Sequence, residues 1–173
     1  MTQKQIWHYT TAIHLRQILN SGELRPSEKT PKGERPAVWF STNPNCERSA
    51  LKVWRGDDGA ARGMTFTEMS EKIGAVRIEV TAQDAPLNLD EHRAASGVSD
   101  MAHRAILKSA RKMGANPREW RAGFDAIPAD RFLKIEVWIG HRWEIVDKSS
   151  AFMMAEEAET AEARVDDNAK PAS

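Results

Sequence analysis

Short apolar runs separated by polar turns follow one another through the first 42 residues. Residues 6–9 are apolar and aromatic, which predicts a strand, and Thr10 or Thr11 can then cap a helix over residues 12–20. Gly22 stands where such a helix needs a left-handed residue at its end. The apolar run of residues 37–42 predicts a second strand, which ends at an Asn-Pro turn.

The middle of the chain mixes helical and extended patterns. Residues 47–54 favour a helix, whereas residues 75–80 alternate apolar and polar positions as a half-buried strand does. Ser99 can cap a helix over residues 100–113 that ends at Gly114.

Extended patterns dominate the C-terminal third. Three strands are predicted, at residues 120–124, 132–139 and 143–146, with a hairpin connection over residues 140–142. Because helices come early, strands come late and the two do not alternate regularly, we expect an α+β domain rather than a doubly wound one.

Composition narrows the class of protein. The chain has 173 residues, 40% of them apolar, which fits one domain. The single cysteine, Cys46, excludes a disulfide framework and a cysteine-rich zinc site. The sequence contains no run of 18 apolar residues and its N-terminus lacks the apolar core of a signal peptide, so we expect a cytoplasmic protein without a membrane span.

The balance of 25 basic against 25 acidic residues is unevenly divided. Residues 151–173 are rich in Ala and Glu and carry a net charge of −4, so residues 1–150 carry +4. The acidic tail has few large apolar residues, and we therefore expect one folded domain over residues 1–150 followed by a frayed helix that passes into disorder. Gly and Asp content also predicts a mobile loop over residues 55–62.

Common catalytic and metal-binding motifs are absent from the sequence. It contains no Gly-rich phosphate loop followed by Lys, no GxGxxG, no HExxH and no GxSxG. The five histidines are not spaced as metal ligands with Cys or carboxylates, so no metal is expected. Cys46 has no identifiable partner base, and we interpret it as an ordinary thiol.

Three blocks of sequence together resemble the opening, middle and end of the ADP-ribosyltransferase superfamily. The first is WHYT at residues 7–10 with the SGEL turn at residues 21–24, and the second is VWFST at residues 38–42. The third runs from EWR at residues 119–121 through the Ile-Pro turn to the strand of residues 132–137. The resemblance covers about 60 residues and implies a split antiparallel sheet of ADP-ribosyltransferase type, with few helices around it and NAD in the cleft between its halves.

The resemblance implies NAD-binding roles for the first two blocks. His8 would hydrogen-bond the adenosine-side ribose, and the backbone beside it, at Tyr9, would hold the nicotinamide amide. Thr10 would support that geometry. Trp39 or Phe40 would stack on the nicotinamide ring.

A catalytic carboxylate completes the implied site. Breaking the nicotinamide–ribose bond builds positive charge on the ribose, which a fixed anion stabilises. By resemblance this anion is Glu119, oriented by Ser41 or Thr42. The turn before Glu119 could instead place it in a loop, in which case Glu136 or Asp125 becomes the candidate.

A basic cluster between residues 104 and 121 surrounds this proposed carboxylate. It could hold the pyrophosphate of NAD, or attract a phosphate-bearing acceptor such as nucleic acid. A protein acceptor is the other macromolecular partner considered. The cluster consists of Arg104, Lys108, Arg111, Lys112, Arg118 and Arg121.

These residues also admit ordinary structural explanations. His8 could be a strand histidine bonded to backbone, and Glu119 a surface carboxylate. Trp39 and Phe40 are adjacent, so one of them faces the core. The leading hypothesis is an NAD-dependent enzyme that transfers ADP-ribose to a macromolecule or hydrolyses NAD. The alternatives are a non-catalytic nucleotide- or partner-binding module on the same fold and, third, an RNA phosphotransferase that uses NAD.

Overall fold

The computed structural model describes residues 4–27, 29–55, 60–154 and 156. Strands and helices follow each other irregularly in these residues, which confirms the α+β class. The strands are β1 (Ile6–Thr11), β2 (Glu23–Leu24), β3 (Val38–Ser41), β4 (Val53–Arg55), β5 (Ala61–Gly63), β6 (Ala75–Val80), β7 (Trp120–Gly123), β8 (Ile127–Pro128), β9 (Lys134–Trp138) and β10 (Trp143–Val146). The helices are α1 (Ala12–Ser21), α2 (Phe66–Ile73), α3 (Leu89–Ser96) and α4 (Asp100–Met113), and residues 148–154 are also helical.

The main sheet is antiparallel and divides between two neighbouring strands. Its order is β10-β9-β6-β1-β3-β7, and β1 pairs with β6 along its whole length. In the described part of the chain, β1 pairs with β3 at one position only, Trp7 with Ser41. The two strands diverge beyond that pair, which separates β10-β9-β6-β1 from β3-β7. This split antiparallel sheet agrees with the predicted fold.

Local sequence signals fix the ends of α1 and α4 as predicted. The Thr11 hydroxyl accepts a hydrogen bond from the backbone N–H of His14, and Gly22 ends α1 with a φ of 77°. Ser99 caps α4 in the same way, and Gly114 ends it with a φ of 68°.

The two faces of the sheet differ in chemistry. One face carries the main apolar core, in which Ile78 and Ile135 of adjacent strands pack with Leu15 of α1. The other face carries Trp7 together with the buried charges Arg77 and Glu136. All six residues of β6 are buried, so the prediction of a half-buried strand was wrong.

Further expectations needed correction. Residues 47–54 are not helical, because a 3-10 turn at Arg48–Ala50 leads into β4, whose Val53 and Trp54 pair with β5. Part of the predicted loop at residues 55–62 is strand, and residues 56–59 lie outside the described residues. The sequence patterns also missed α2, α3 and the short β2–β8 pair.

The body of the protein extends past the expected boundary at residue 150. Ala151 is fully buried in the main core, and the Arg16 guanidinium lies 5.7 Å from the ring centre of Phe152. The expectation of a frayed helix that passes into disorder covered residues 151–173, of which residue 155 and residues 157–173 lie outside the described residues. No described helix is long and apolar enough to cross a membrane.

Candidate functional site

His8 bridges the two halves of the sheet where β1 and β3 diverge. Its Nδ1–H donates a hydrogen bond to the carbonyl oxygen of Trp39 at 2.9 Å, and its ring meets Phe40 edge-on at 5.9 Å. Burial lowers the pKa of His8 to about 4, with smaller contributions from the positive charges of Lys52 and His14. The imidazole is therefore neutral near pH 7.

Two cavities open at the split. The inner cavity has a volume of about 350 Å³ and the outer cavity, which reaches α1, about 550 Å³. Both are within the size range of small-molecule sites. His8, Tyr9 and Trp39 line both cavities, so these three residues form the wall between them.

The other NAD-binding residues expected from the sequence divide between cavity and core. Thr10 lines the outer cavity, whereas Phe40 and Ser41 line the inner one. Phe40 also belongs to the main core, and Ser41 is fully buried. Thr42 is not among the described residues that line either cavity.

Trp39 is the aromatic ring that faces outwards. It is 38% exposed, whereas the adjacent Phe40 is 3% exposed. Its ring centre lies 4.4 Å from that of His92 in α3 and 6.2 Å from that of Trp120 in β7. The structure therefore leaves Trp39, rather than Phe40, with an open ring face at the split.

Tyr9 and Glu119 are connected through one loop residue. The Tyr9 hydroxyl donates to the Asn43 carbonyl at 2.5 Å, and the Asn43 side-chain amide donates to Glu119 Oε2 at 3.0 Å. Burial raises the pKa of Tyr9 to about 12, so the phenol stays protonated and remains a donor. Asn43 thus joins β1 to the turn that precedes β7.

Glu119 lies near the split but outside both cavities. It ends the 3-10 turn Pro117–Glu119, and its carbonyl accepts from the N–H of Thr42 at 2.8 Å. Trp7, Ser41 and Trp120 form one row across three strands. His8 is the residue after Trp7, and Glu119 is the residue before Trp120, so the two lie on opposite sides of this row. Strand spacing therefore places their Cα atoms about 12 Å apart. Glu119 is not among the described residues that line either cavity.

The two alternative acids are placed away from the split. Glu136 is buried on β9, where its carboxylate accepts from Arg77 Nε at 2.5 Å and lies 3.7 Å from Lys134 Nζ. Asp125 is exposed and lines a different cavity, with Arg131. Neither shares a cavity with His8 in the described part of the chain.

Glu47 is the carboxylate that does line the inner cavity, and the sequence patterns missed it. Its side chain is buried, and Oε1 accepts from the backbone N–H of Ser49 at 3.0 Å and from the Ser49 hydroxyl at 2.7 Å. The sequence analysis placed Glu47 inside a helix over residues 47–54, whereas the structure places it just before the 3-10 turn Arg48–Ala50. The Glu-x-Ser spacing is the local signal for the cap that it forms instead.

No cation of the basic cluster is among the described residues that line the split cavities. Arg104, Lys108, Arg111 and Lys112 are exposed on α4. Lys52 is instead a cation that lines the outer cavity, beside His14 and Arg25. Burial lowers the pKa of Lys52, and burial together with the charge of Lys52 lowers the pKa of His14. The sequence patterns had not singled out Lys52 or His14 as site residues.

The environment of Cys46 makes its thiol a weak nucleophile. Burial and the nearby charge of Glu47 raise the pKa of Cys46 to about 11, so its thiol stays protonated and is a weak nucleophile. Among the described residues, no three His, Cys, Asp or Glu side chains are grouped closely enough to hold a metal ion.

Neither the family models, nor the curated proteins, nor the solved structures contain a match to this chain.

Proposed function

We propose that the chain is an ADP-ribosyltransferase-like enzyme that uses NAD as a substrate. It breaks the bond between nicotinamide and ribose, and the acceptor oxygen or nitrogen forms a new bond to the ribose carbon as its proton is released. The acceptor is a macromolecule, with water as the hydrolytic alternative. The observation that carries this proposal is the split between β1 and β3, which His8 bridges and which opens into two cavities.

The protonation state of His8 suits a ribose contact. Because Nδ1–H donates to the Trp39 carbonyl and the ring is neutral, Nε2 carries a lone pair that can accept from a ribose hydroxyl. The open face of Trp39 supplies a stacking surface for an aromatic ring of NAD, and Lys52 supplies a positive charge for its phosphates.

The carboxylate that stabilises the developing charge has two candidates. Glu119 is the residue that the sequence resemblance implies, and Glu47 is the carboxylate that lines the inner cavity. Either anion could stabilise positive charge on ribose, but Glu119 must first release Asn43 to reach the inner cavity. Variants of the two acids therefore test different geometries.

The decisive experiment measures nicotinamide release from NAD by the full chain. We expect Glu119→Gln or Glu47→Gln to lower the rate about a hundredfold or more, because a fixed catalytic anion contributes several kcal/mol. Glu144→Gln, on the exposed β10, is the matched control and should retain the wild-type rate. Wild-type protein that releases no nicotinamide, with or without protein and nucleic-acid acceptors, would overturn the enzymatic proposal.

The position of Glu119 favours one second function, a nucleotide-binding module without turnover. Its carboxylate is held by Asn43 and lies outside both cavities, as expected for a structural acid. Binding alone predicts that NAD raises the melting temperature of the protein while the nicotinamide assay stays blank. His8→Ala should abolish that rise, whereas Glu119→Gln should not change it.

A further inference from the structure

A further cavity lies between α3, α4 and the turn before β7. It has a volume of about 460 Å³, and no described residue lines both this cavity and a cavity at the split. We call it the basic cavity. Its charged and titratable walls are Arg118, Arg121 and His103 together with one carboxylate, Asp90, and Leu107 is among its apolar walls.

Arg121 is fixed in place with part of its guanidinium group unused. Nη1 donates to the carbonyl of Trp120 at 2.6 Å and to the carbonyl of Arg118 at 3.2 Å. The remaining three N–H groups have no hydrogen-bond partner among the described residues. Arg118 is exposed, and its side chain likewise forms no hydrogen bond or ion pair in the described part of the chain. Arg121 therefore offers donors held in place for an anion in the cavity, and Arg118 offers a second guanidinium beside it.

His103 adds a buried polar atom that lacks a partner. Its side chain is nine-tenths buried, and Nδ1 is buried without a hydrogen bond to any described residue. Nε2 lies 3.9 Å from the carboxylate of Asp90, whose own side chain is 91% exposed. The His103 ring therefore forms a largely buried part of the cavity wall, with its Nδ1 closed off from solvent.

Positive charge continues from the cavity along α4. Arg104 and Lys108 directly follow the cavity residues His103 and Leu107, and Arg111 lies one turn further. Along the helix axis, Arg104 and Lys108 are about 6 Å apart, and Lys108 and Arg111 about 4.5 Å. None of them forms an ion pair with another described residue. A row of unpaired cations at repeated intervals suits a polymer that carries one negative charge per unit.

We propose that the basic cavity binds a phosphate of single-stranded nucleic acid, whose chain continues along the cations of α4. Arg118 and Arg121 hold the phosphate, and the apolar walls at Leu89 and Leu107 accommodate the attached nucleoside. This binding does not depend on NAD cleavage, because the basic cavity and the split have separate walls.

Fluorescence anisotropy of the full chain with labelled dT20 and U20 tests the proposal. We expect both strands to bind at 0.1 M salt, and Arg118→Ala and Arg121→Ala each to weaken binding about fivefold. Each lost phosphate contact should also reduce the magnitude of the salt slope by about 0.7.

The control removes the same charge from the opposite edge of the sheet. Arg142→Ala and Lys148→Ala should leave the affinity unchanged, since these residues flank β10, the strand at the opposite end of the sheet from β7. Equal losses from both pairs would show attraction to net charge alone and would overturn the proposal. Absence of binding to either strand would overturn it as well. Tighter binding of a 20-base-pair duplex would show that the ligand is double-stranded, and full competition by equimolar AMP would show that it is a mononucleotide. Either result would overturn the proposal of a single strand. None of these outcomes requires nicotinamide release, so they are separate from the test of the enzyme.

Discussion

At the split, the His8 side chain rather than backbone pairing connects β1 to β3. Because this side chain is buried, we expect the free energy of unfolding to depend on pH. Its pKa is about 4 in the folded protein and near 6.5 when unfolded. Between these values the unfolded chain binds more protons, so His8 lowers the free energy of unfolding as the pH falls from 6.5 to 4. We expect this loss to reach about 2 kcal/mol at pH 4.5.

Chemical denaturation at pH 7 and pH 4.5 measures that loss. The His8→Asn variant keeps an N–H donor near the position of Nδ1 but cannot titrate, so it should lose about 2 kcal/mol less than wild type over this interval. The lowered pKa values of His14 and His92 affect both proteins alike and cancel. Equal losses in the two proteins would show that His8 titrates as an exposed histidine.

Strands β6 and β9 are joined by a buried ion pair that stabilises the face opposite the core. Arg77 donates to Glu136, also donates to the Pro44 carbonyl, and lies 3.9 Å from the ring centre of Trp7. In the Arg77→Met variant, the buried Glu136 carboxylate keeps only the contact with Lys134, whose Nζ lies further away, at 3.7 Å. We expect this variant to lose about 3–5 kcal/mol of unfolding free energy.

A double variant and a surface pair make this prediction specific. Arg77→Met combined with Glu136→Met removes both charges and should be more stable than Arg77→Met alone. Arg142→Met breaks the exposed contact with Glu144 and should cost at most about 1 kcal/mol. If the Arg142 and Arg77 variants lost equal stability in urea, the ion pair would not be buried as the structure has it.

Helix ends could be read from the sequence because their signals are local. Thr11 and Gly22 lie within a few residues of the backbone groups that they satisfy, and so do Ser99 and Gly114. The burial of Arg77 could not be read in this way, because its partner Glu136 is 59 positions away. The same applies to Glu119, whose partner Asn43 is 76 positions away, and to the cavity that encloses Glu47. The polar residues of this candidate site depend on tertiary contacts that alternation and spacing do not encode.

At the scale of the whole molecule, the C-terminal segment belongs in part to the folded body. Ala151 is completely buried among core residues, and the helical residues 148–154 place Phe152 against Arg16. A chain ending at Glu156 keeps these contacts, whereas a chain ending at Ser150 loses them and exposes the core beneath Ala151. Apolar burial of this extent contributes about 1–3 kcal/mol.

Thermal and urea unfolding of the two truncated chains should therefore differ. Removing residues 157–173 should leave the melting temperature unchanged within about a degree, because every described core contact is retained. Removing residues 151–173 should lower it by about 3–8 °C, as 1–3 kcal/mol does in a domain of this size. Equal melting temperatures of the two truncated chains would return the boundary of the folded body to residue 150. An Ala151→Ser variant of the full chain separates loss of core packing from loss of helix length. A serine hydroxyl at this buried site should destabilise the full chain as well, since it introduces a polar group into an apolar cluster.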